Sequence, residues 1–197
     1  AVVVVKREMP QSIVVFGEEG VKRHDPDFYA AYVMNYILGG GSFSSRLMTE
    51  VREKRGLAYS IGTDLLALDH AGLLQGQVGT QNARAAETLE LIREEWRRLR
   101  EEGPTEQELE DAKTYLIGSY PLRMTSTRSL ASMLTAIQLD GLPIDYMAKR
   151  NDYIEAVTLE DVRRVAKRLL DPARLIVVVV GEPDGITPTQ DPPPGAI

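Results

Sequence analysis

The stretch from residue 38 to residue 62 constrains the fold of this chain more than any other, because two backbone signals frame a short amphipathic segment. It opens with three consecutive glycines, Gly39, Gly40 and Gly41, which permit backbone conformations and close contacts that a Cβ atom would forbid. Within the stretch, a helical pattern ends at Gly56, where a residue in the left-handed conformation is expected. The stretch therefore predicts a glycine-rich loop, a short helix and a sharp stop.

A helix followed by a strand is the expected structure after the three glycines. Ser44 or Ser45 suits the N-cap, since a short hydroxyl accepts a hydrogen bond from an unpaired amide of the first turn. After Gly56, apolar and small residues alternate with the period of a strand. Arg52 therefore lies in the last turn of the helix, and Tyr59 lies early in the strand. The turn between them would bring a guanidinium and a phenol to one side of the structure.

These residues resemble a segment from the C-terminal half of the pitrilysin-like zinc metallopeptidases, the M16 family that includes insulinase and mitochondrial processing peptidase. The family pattern is a glycine-rich loop, then S-R-L, then R-x-K-x-G-L-x-Y followed by a strand. The matching segments here are Gly39-Gly40-Gly41, Ser45-Arg46-Leu47 and Arg52-Glu53-Lys54-Arg55-Gly56-Leu57-Ala58-Tyr59. The resemblance in element order extends over roughly residues 1 to 181, and it implies the fold of the family's C-terminal, non-zinc domain.

The resemblance also implies roles for two sets of residues. In the family, an arginine and a tyrosine at this spacing reach a substrate held at a zinc site in another domain, which assigns catalytic roles to Arg52 and Tyr59. The family's glycine-rich loop contacts the substrate peptide. Substrate binding is thereby assigned to Gly39, Gly40, Gly41 and Ser42. Without the resemblance, the simpler interpretation is that Tyr59 is a half-buried strand aromatic and Arg52 a surface charge on a helix.

The zinc motif of the family is absent from this sequence. That motif is His-x-x-Glu-His on a helix, with a further glutamate downstream. The chain has two histidines, His24 and His70, and neither has another histidine four residues away, so paired imidazoles on one helical face cannot form. We therefore expect no metal site in this segment, zinc in a partner domain or subunit, and no peptidase activity from the segment alone.

Composition argues against several other classes of function. The net charge of −6 disfavours a dedicated nucleic-acid or anionic-membrane surface, and no apolar run approaches the ~20 residues that span a bilayer. The absence of cysteine excludes disulfides and thiolate metal sites. It leaves the compartment open, because a periplasmic protein need not contain cysteine, so bacterial cytoplasm and periplasm both fit.

The rest of the sequence predicts a two-layer α+β fold with a largely antiparallel sheet packed with helices. The resemblance implies the same plan, that of M16-like and LuxS-like domains. Strands are expected at residues 2–5, 12–16 and 175–180, and on both sides of a turn at 69–72. Residues 12–16 are apolar enough to be buried on both faces, and residues 17–20 suggest a turn. Predicted helix starts are Asp25 as a cap, residue 83, and capping boxes at Thr105 with Glu108 and Thr158 with Asp161.

The domain organisation is expected to be simple. One domain would occupy residues 1–181, and a Pro-rich tail or linker without periodicity, expected to be disordered, would occupy residues 182–197. The sequence begins inside an apparent strand, with no signal peptide and no initiator methionine, so we expect a segment of a longer protein. No internal repeat is present, and because the family is built from duplicated domains, the repeat partner is expected outside this segment.

Together these observations predict the substrate-binding domain of a zinc metallopeptidase that cleaves unfolded peptides. Two such units, in one chain or in a homo- or heterodimer, would close around the peptide, and a sheet edge would hold it extended. Two alternatives stay open, namely a non-catalytic structural subunit like those in membrane-bound respiratory complexes, and a peptide-binding module with chaperone-like activity. The intact Arg52–Tyr59 pair and glycine loop argue against the structural subunit, because a scaffold does not need them.

Overall fold

The computed structural model describes residues 1–41 and 44–195 and contains one five-stranded sheet. The strands are β1 Val2–Lys6, β2 Gln11–Glu19, β3 Ala58–Ala67, β4 Gly72–Gln81 and β5 Ile176–Gly181. They are arranged in the order β1-β5-β2-β4-β3, in which β1 and β5 run parallel and the other neighbouring pairs are antiparallel. The predicted two-layer α+β fold with a largely antiparallel sheet is confirmed.

The central strand β2 shows that the two faces of the sheet differ. Val14 and Phe16 lie in the core, whereas Ile13 on the opposite face is 36% exposed. The prediction that this strand is buried on both faces is therefore wrong, because the helices cover only one of them. The predicted turn over residues 17–20 is also wrong, since β2 continues to Glu19. Gly17 is explained by close approach instead, because a Cβ there would lie 2.5 Å from the Leu74 carbonyl oxygen.

The helices are α1 Phe28–Asn35, α2 Ala85–Glu102, α3 Glu106–Gly118, α4 Thr127–Leu139, α5 Tyr146–Glu155 and α6 Leu159–Leu169. Four of them begin at or near the predicted starts, and two more, α4 and α5, lie between the third and the fourth of these. Both predicted capping boxes are present, at the start of α3 and of α6. Helix α1 begins later than predicted, because the Asp25 carboxylate accepts a hydrogen bond from the Asp27 amide in the preceding turn, and Asp27 becomes the N-cap residue.

The core lies between the sheet and these helices, and Trp96 of α2 is the largest side chain within it. Its ring meets that of Phe16 edge to face, with 5.6 Å between the centroids. Its indole Nε1–H donates a hydrogen bond of 2.7 Å to Glu18 Oε1 on β2. Trp96 is therefore a core residue whose indole N–H is paired with a glutamate side chain.

The segment after β5 returns to the sheet and lies along the outer edge of β1. The Val2 amide donates to Thr189 Oγ1 at 2.8 Å, and the Thr189 amide donates to the Val2 carbonyl at 2.8 Å. Gln190 forms a parallel bridge with Val3. This part of the tail is ordered, whereas the sequence predicted disorder from the lack of hydrophobic periodicity. Backbone pairing with an edge strand does not require that periodicity. The domain boundary at residue 181 stays a prediction.

Candidate functional site

A β-bulge at the start of β3 determines the position of Tyr59. Between two regular pairs of β3 and β4, Tyr59 and Ser60 together oppose the single residue Gly79. The Tyr59 side chain is consequently 87% exposed. Simple alternation would have placed it on the same face as Leu57 and Ile61, which are both buried. The interpretation of Tyr59 as a half-buried strand aromatic is therefore wrong.

Arg52 lies across the turn from that tyrosine. It belongs to a short π-helical segment, Met48–Glu53, and its guanidinium carbon is 5.6 Å from the centroid of the Tyr59 ring. That distance is within the range of a cation–π attraction. Gly56 has a φ of 60° and ends the helical segment in the left-handed conformation, as predicted. The structure thus brings Arg52 and Tyr59 to the same side, with the phenol in solvent.

Two of the candidate glycines and Arg52 lie in π-helical turns, which the sequence did not reveal. Gly39 and Gly40 belong to a π-helical segment, Tyr36–Gly40, and Arg52 belongs to the other, Met48–Glu53. Such turns are rare and occur frequently at functional sites. Apolar spacing cannot distinguish a π-turn from an α-turn over a single turn of helix, so the sequence predicted an ordinary helix around Arg52. It predicted a loop from Gly39 onward, whereas Gly39 and Gly40 still belong to the helical turn.

The glycine-rich loop packs closely on β3. A Cβ on Gly39 would lie 2.5 Å from Thr63 Oγ1, and one on Gly41 would lie 2.7 Å from the Tyr36 carbonyl oxygen. Thr63 Oγ1 donates to Asn35 Oδ1 at 2.7 Å, and Asn35 Nδ2 donates to the Thr63 carbonyl at 3.3 Å, which joins α1 to the strand beneath the loop. Packing alone therefore accounts for these glycines, whether or not they contact a substrate.

A shallow polar groove lies beside the loop. Its volume is about 450 Å³, and it is bounded by Gly39 and Gly40 and by the facing parts of β3 and β4. The strand residues that line it include Ser60, Gly62, Asp64, Gln75, Gln77 and Gly79. Of the predicted substrate-binding residues, Gly39 is buried, Gly40 is exposed at the groove, and Ser42 lies outside the described residues. Substrate binding by the glycines stays a prediction.

Arg46 holds the Arg52 segment in place, a role that the sequence did not suggest. Its Nε and Nη2 donate to the two carboxylate oxygens of Glu108 at 2.6 and 2.8 Å, and Nη2 also donates to the Gly103 carbonyl at 3.0 Å. Burial raises the pKa of Glu108, but the hydrogen bonds from Arg46 and from Thr105 outweigh it and hold that pKa below its usual value. The sequence signal that could have indicated this role was Glu108 of the predicted capping box, because the same carboxylate caps α3 and accepts hydrogen bonds from Arg46.

The start of this segment is capped as predicted. Ser45 Oγ accepts a hydrogen bond of 3.4 Å from the Met48 amide. Further along, Glu50 accepts from Lys54 Nζ at 2.6 Å and from Arg55 Nη1 at 2.5 Å. The hydrogen bond from Lys54, reinforced by the one from Arg55, lowers the pKa of Glu50. Glu50 therefore stays ionised and offsets part of the positive charge of its two neighbours beside Arg52.

The described part of the chain contains neither a cluster of metal ligands nor a helix suited to a bilayer. Among residues 1–41 and 44–195, no three or more His, Cys, Asp or Glu side chains come together in a group able to hold a metal ion. His24 and His70 are both exposed. Within the same ranges, no helix has the length and apolar character needed to cross a membrane.

Comparison with known protein families gives a direct match. Residues 1–116, more than half of the chain, match the family described as the peptidase M16 inactive domain. The chain belongs to the M16 inactive-domain family. The resemblance first noted at the glycine loop and the Arg52–Tyr59 segment is thus confirmed, and this M16 domain is the inactive, C-terminal type found in zinc-protease-like proteins.

Curated relatives of this M16 domain include proteins with and without a peptidase name. It is 35% identical over 169 residues to an uncharacterized zinc protease of Streptomyces coelicolor, an alignment that covers 84% of this chain and 36% of that protein. It is 32% identical to the non-peptidase homolog YmxG of Helicobacter pylori, covering 83% and 38%. The M16 domain therefore spans well under half the length of these relatives.

Solved structures agree on the fold. A peptidase M16 inactive domain from Pseudomonas fluorescens superimposes with a TM-score of 0.86 at 29% identity, over 96% of this chain and 45% of that one. A protease from Helicobacter pylori superimposes with a TM-score of 0.82 at 18% identity, over 91% and 43%. The second similarity, at this low identity, concerns the fold alone.

Proposed function

We propose that this M16 domain supplies substrate-binding groups to a zinc site carried by another domain or subunit, in an assembly that cleaves unfolded peptides. The observation that carries the proposal is the exposed Tyr59 phenol beside the Arg52 guanidinium. A large aromatic side chain at 87% exposure contributes little to folding, and the bulge that presents it departs from regular strand pairing. A role outside the domain explains both features.

The two side chains would act on different parts of the substrate. The Tyr59 O–H would donate a hydrogen bond to the oxygen on which negative charge develops, and the Arg52 guanidinium would hold a neighbouring carbonyl. The metal and a glutamate base, supplied by the zinc-bearing half, would activate the attacking water. Preorganised donors of this kind stabilise a transition state by about 3 kcal/mol each.

The sheet offers an edge for an extended peptide on the strand that carries Tyr59. Gln190 pairs with β1 at one edge of the sheet, whereas β3 lies at the other edge. Along β3, the Ile61 amide donates to Met48 Sδ and the Thr63 carbonyl accepts from Asn35, so a peptide would pair with the strand beyond Thr63. Strand addition at an edge supplies backbone hydrogen bonds that do not depend on the peptide's sequence. An assembly that accepts varied unfolded peptides would use that kind of contact, with the glycine loop and its polar groove beside it.

The test is peptide cleavage by this domain combined with the His-x-x-Glu-His-bearing half, followed with an unfolded reporter peptide. Cleavage should require both halves and should stop with a zinc chelator. Tyr59→Phe should lower kcat about 100-fold, and Arg52→Ala should also lower it. Tyr153→Phe, which removes a phenol hydroxyl on α5, is the matched control and should leave the rate unchanged. Equal rates for Tyr59→Phe and the wild type would overturn the assignment.

A structural role is the second candidate, favoured by the Helicobacter relative named a non-peptidase homolog. In that case the Arg52–Tyr59 pair would serve no chemistry in this protein. Cleavage that needs the domain but is indifferent to both substitutions would support it. Binding of the unfolded peptide by this domain alone, unchanged when the zinc-bearing half is added, would instead indicate a peptide-binding module.

A further inference from the structure

A small cavity on the helical side of the domain has walls of unusual composition. Its volume is about 220 Å³, and it lies between α1, α4, α5 and the short 3₁₀ segment Tyr120–Met124. Five aromatic rings line it. They are Phe28, Tyr29, Tyr32, Tyr120 and Tyr146. Such a lining provides flat apolar surface with hydroxyl groups at its edges.

Two guanidinium groups also line this cavity. Arg23, whose side chain is 13% exposed, has its guanidinium carbon 4.0 Å from the centroid of Phe28 and 5.2 Å from that of Tyr146. Arg150 is buried, with its guanidinium carbon 4.2 Å from the centroid of Tyr120. Both arginines are close enough for their positive charges to act on the pKa of the Tyr146 phenol, against the larger effect of burial.

Neither guanidinium has a hydrogen-bonded carboxylate among the described residues. Arg23 forms a long ion pair with Asp140, whose carboxylate oxygen is 3.7 Å from Nε, and its Nη2 donates to the Tyr29 hydroxyl at 3.4 Å. Arg150 donates to the Leu116 carbonyl and to the neutral side chain of Asn151, both at 3.0 Å. A cation removed from water is costly unless an opposite charge compensates it. The cavity is therefore short of negative charge.

The remaining polar groups do not correct this imbalance. Burial raises the pKa of Tyr146, and a hydrogen bond to Tyr29 adds to the rise, so the phenol stays neutral and contributes no negative charge. Arg123 lies at the exposed rim and adds a third positive group, against the single acid Asp140. This local excess of positive charge occurs in a protein whose net charge is −6. An anion would find both charge and donors inside the cavity.

We propose that this cavity binds a small organic carboxylate with one flat apolar group of about the size of a phenyl ring. The carboxylate would lie between Arg23 and the Tyr146 hydroxyl, within reach of the Arg150 charge, because guanidinium groups hold carboxylates through paired hydrogen bonds. The apolar group would pack against the aromatic walls. A volume near 220 Å³ is below the usual range for drug-sized ligands, which limits the ligand to a single ring. This site is separate from the Arg52–Tyr59 pair.

Calorimetric titration with three probes tests the chemistry of the site. Phenylacetate carries both groups, phenylacetamide lacks the charge, and acetate lacks the ring. Phenylacetate should bind, and each of the other two should bind at least about tenfold more weakly. Equal binding of phenylacetate and phenylacetamide, or no binding of phenylacetate at about 10 mM, would overturn the proposal.

Two further measurements locate the site. Arg23→Gln should weaken phenylacetate binding about tenfold, whereas Arg174→Gln, at an exposed arginine before β5, should leave it unchanged. In the unsubstituted protein, phenylacetate should slow amide hydrogen exchange in α4 and in the Tyr120–Met124 segment. Binding that survives Arg23→Gln, or slowed exchange elsewhere but not in these elements, would show that the arginines only pack between the helices.

Discussion

The guanidinium carbon of Arg52 lies 5.6 Å from the centroid of the Tyr59 ring, although a helix end and a left-handed glycine separate the two residues in the chain. The contact joins the last turn of one element to the first residues of the next. Neither side chain is part of the core, since Arg52 is half-buried and Tyr59 is exposed. The pair is therefore a surface feature that rests on the turn at Gly56.

This arrangement predicts that Tyr59→Ala leaves stability almost unchanged. The free energy of unfolding should differ from the wild type by no more than about 0.5 kcal/mol, because little apolar surface is lost from a side chain already in water. Urea denaturation monitored by circular dichroism measures it. A loss of about 2 kcal/mol would mean that the bulge depends on Tyr59. Phe16→Ala, in the core, is the contrasting variant and should destabilise by roughly 3 kcal/mol or more.

Arg46→Ala should be strongly destabilising even though it lies outside the apolar core. The substitution leaves Glu108 and the Gly103 carbonyl without their donor, and we expect a loss of about 2 kcal/mol. Lys54→Ala, which removes an exposed helix ion pair with Glu50, should cost no more than about 0.5 kcal/mol. Similar losses for both variants in urea denaturation would contradict the proposed role of Arg46 in holding the segment.

Two glycines of the same stretch should respond differently to alanine. Gly39→Ala places a Cβ 2.9 Å from the backbone nitrogen of Thr63, which a side-chain rotation cannot relieve, so a loss of roughly 1–3 kcal/mol is expected. Gly56→Ala meets no atom within 4 Å and pays only for the left-handed conformation, about 1 kcal/mol. Gly56→Asn should recover part of that loss, because asparagine tolerates this conformation. If Asn and Ala at position 56 were equally destabilising, conformation alone would not explain Gly56.

Glu18 should give the domain a stability that declines with rising pH. Burial raises the pKa of its carboxyl above the usual 4.5, although hydrogen bonds from Asp171 and Trp96 oppose the shift. Because the folded protein then holds the proton more tightly than the unfolded chain, the free energy of unfolding falls as pH rises from the unfolded to the folded pKa.

Glu18→Gln isolates this effect. The stability of the wild type relative to Glu18→Gln should decrease as pH rises above about 4.3, the carboxyl value in unfolded chains. Denaturation curves at a series of pH values measure the difference, with Glu19→Gln, on the same strand but exposed, as the matched control. Parallel pH profiles for the wild type and Glu18→Gln would show that Glu18 is not the source.

Much of the fold could be predicted from the sequence because its signals are local. Capping boxes at Thr105 and Thr158, the stop at Gly56 and the apolar spacing of α2 each depend on a few neighbouring residues. The bulge at Tyr59 could not be predicted in this way. It depends on the pairing of β3 with β4. The sequence of β3 alone does not show that Tyr59 and Ser60 together face the single residue Gly79.

The errors have a common physical origin in contacts between distant segments. Gly17 lies in a strand because the Leu74 backbone comes close to it, whereas the sequence suggested a turn. Thr189 pairs with Val2, which is 187 residues away, whereas the sequence suggested disorder. The candidate site also contains one local and one distant contact. The proximity of Arg52 and Tyr59 follows from a local turn and could be predicted, whereas the hydrogen bond between Arg46 and Glu108 joins residues 62 positions apart and could not.

The high exposure of Tyr59 has a consequence for how relatives of this domain can diverge. Selection for a stable fold acts on buried groups, so it does little to preserve a side chain that lies almost wholly in water. Under the role proposed above for the pair, loss of selection for the activity lets drift replace either residue in a single step while the sheet and helices persist. A lineage can therefore keep the scaffold and lose the chemistry, so the identities at positions 52 and 59 are more informative about a relative's activity than its overall similarity.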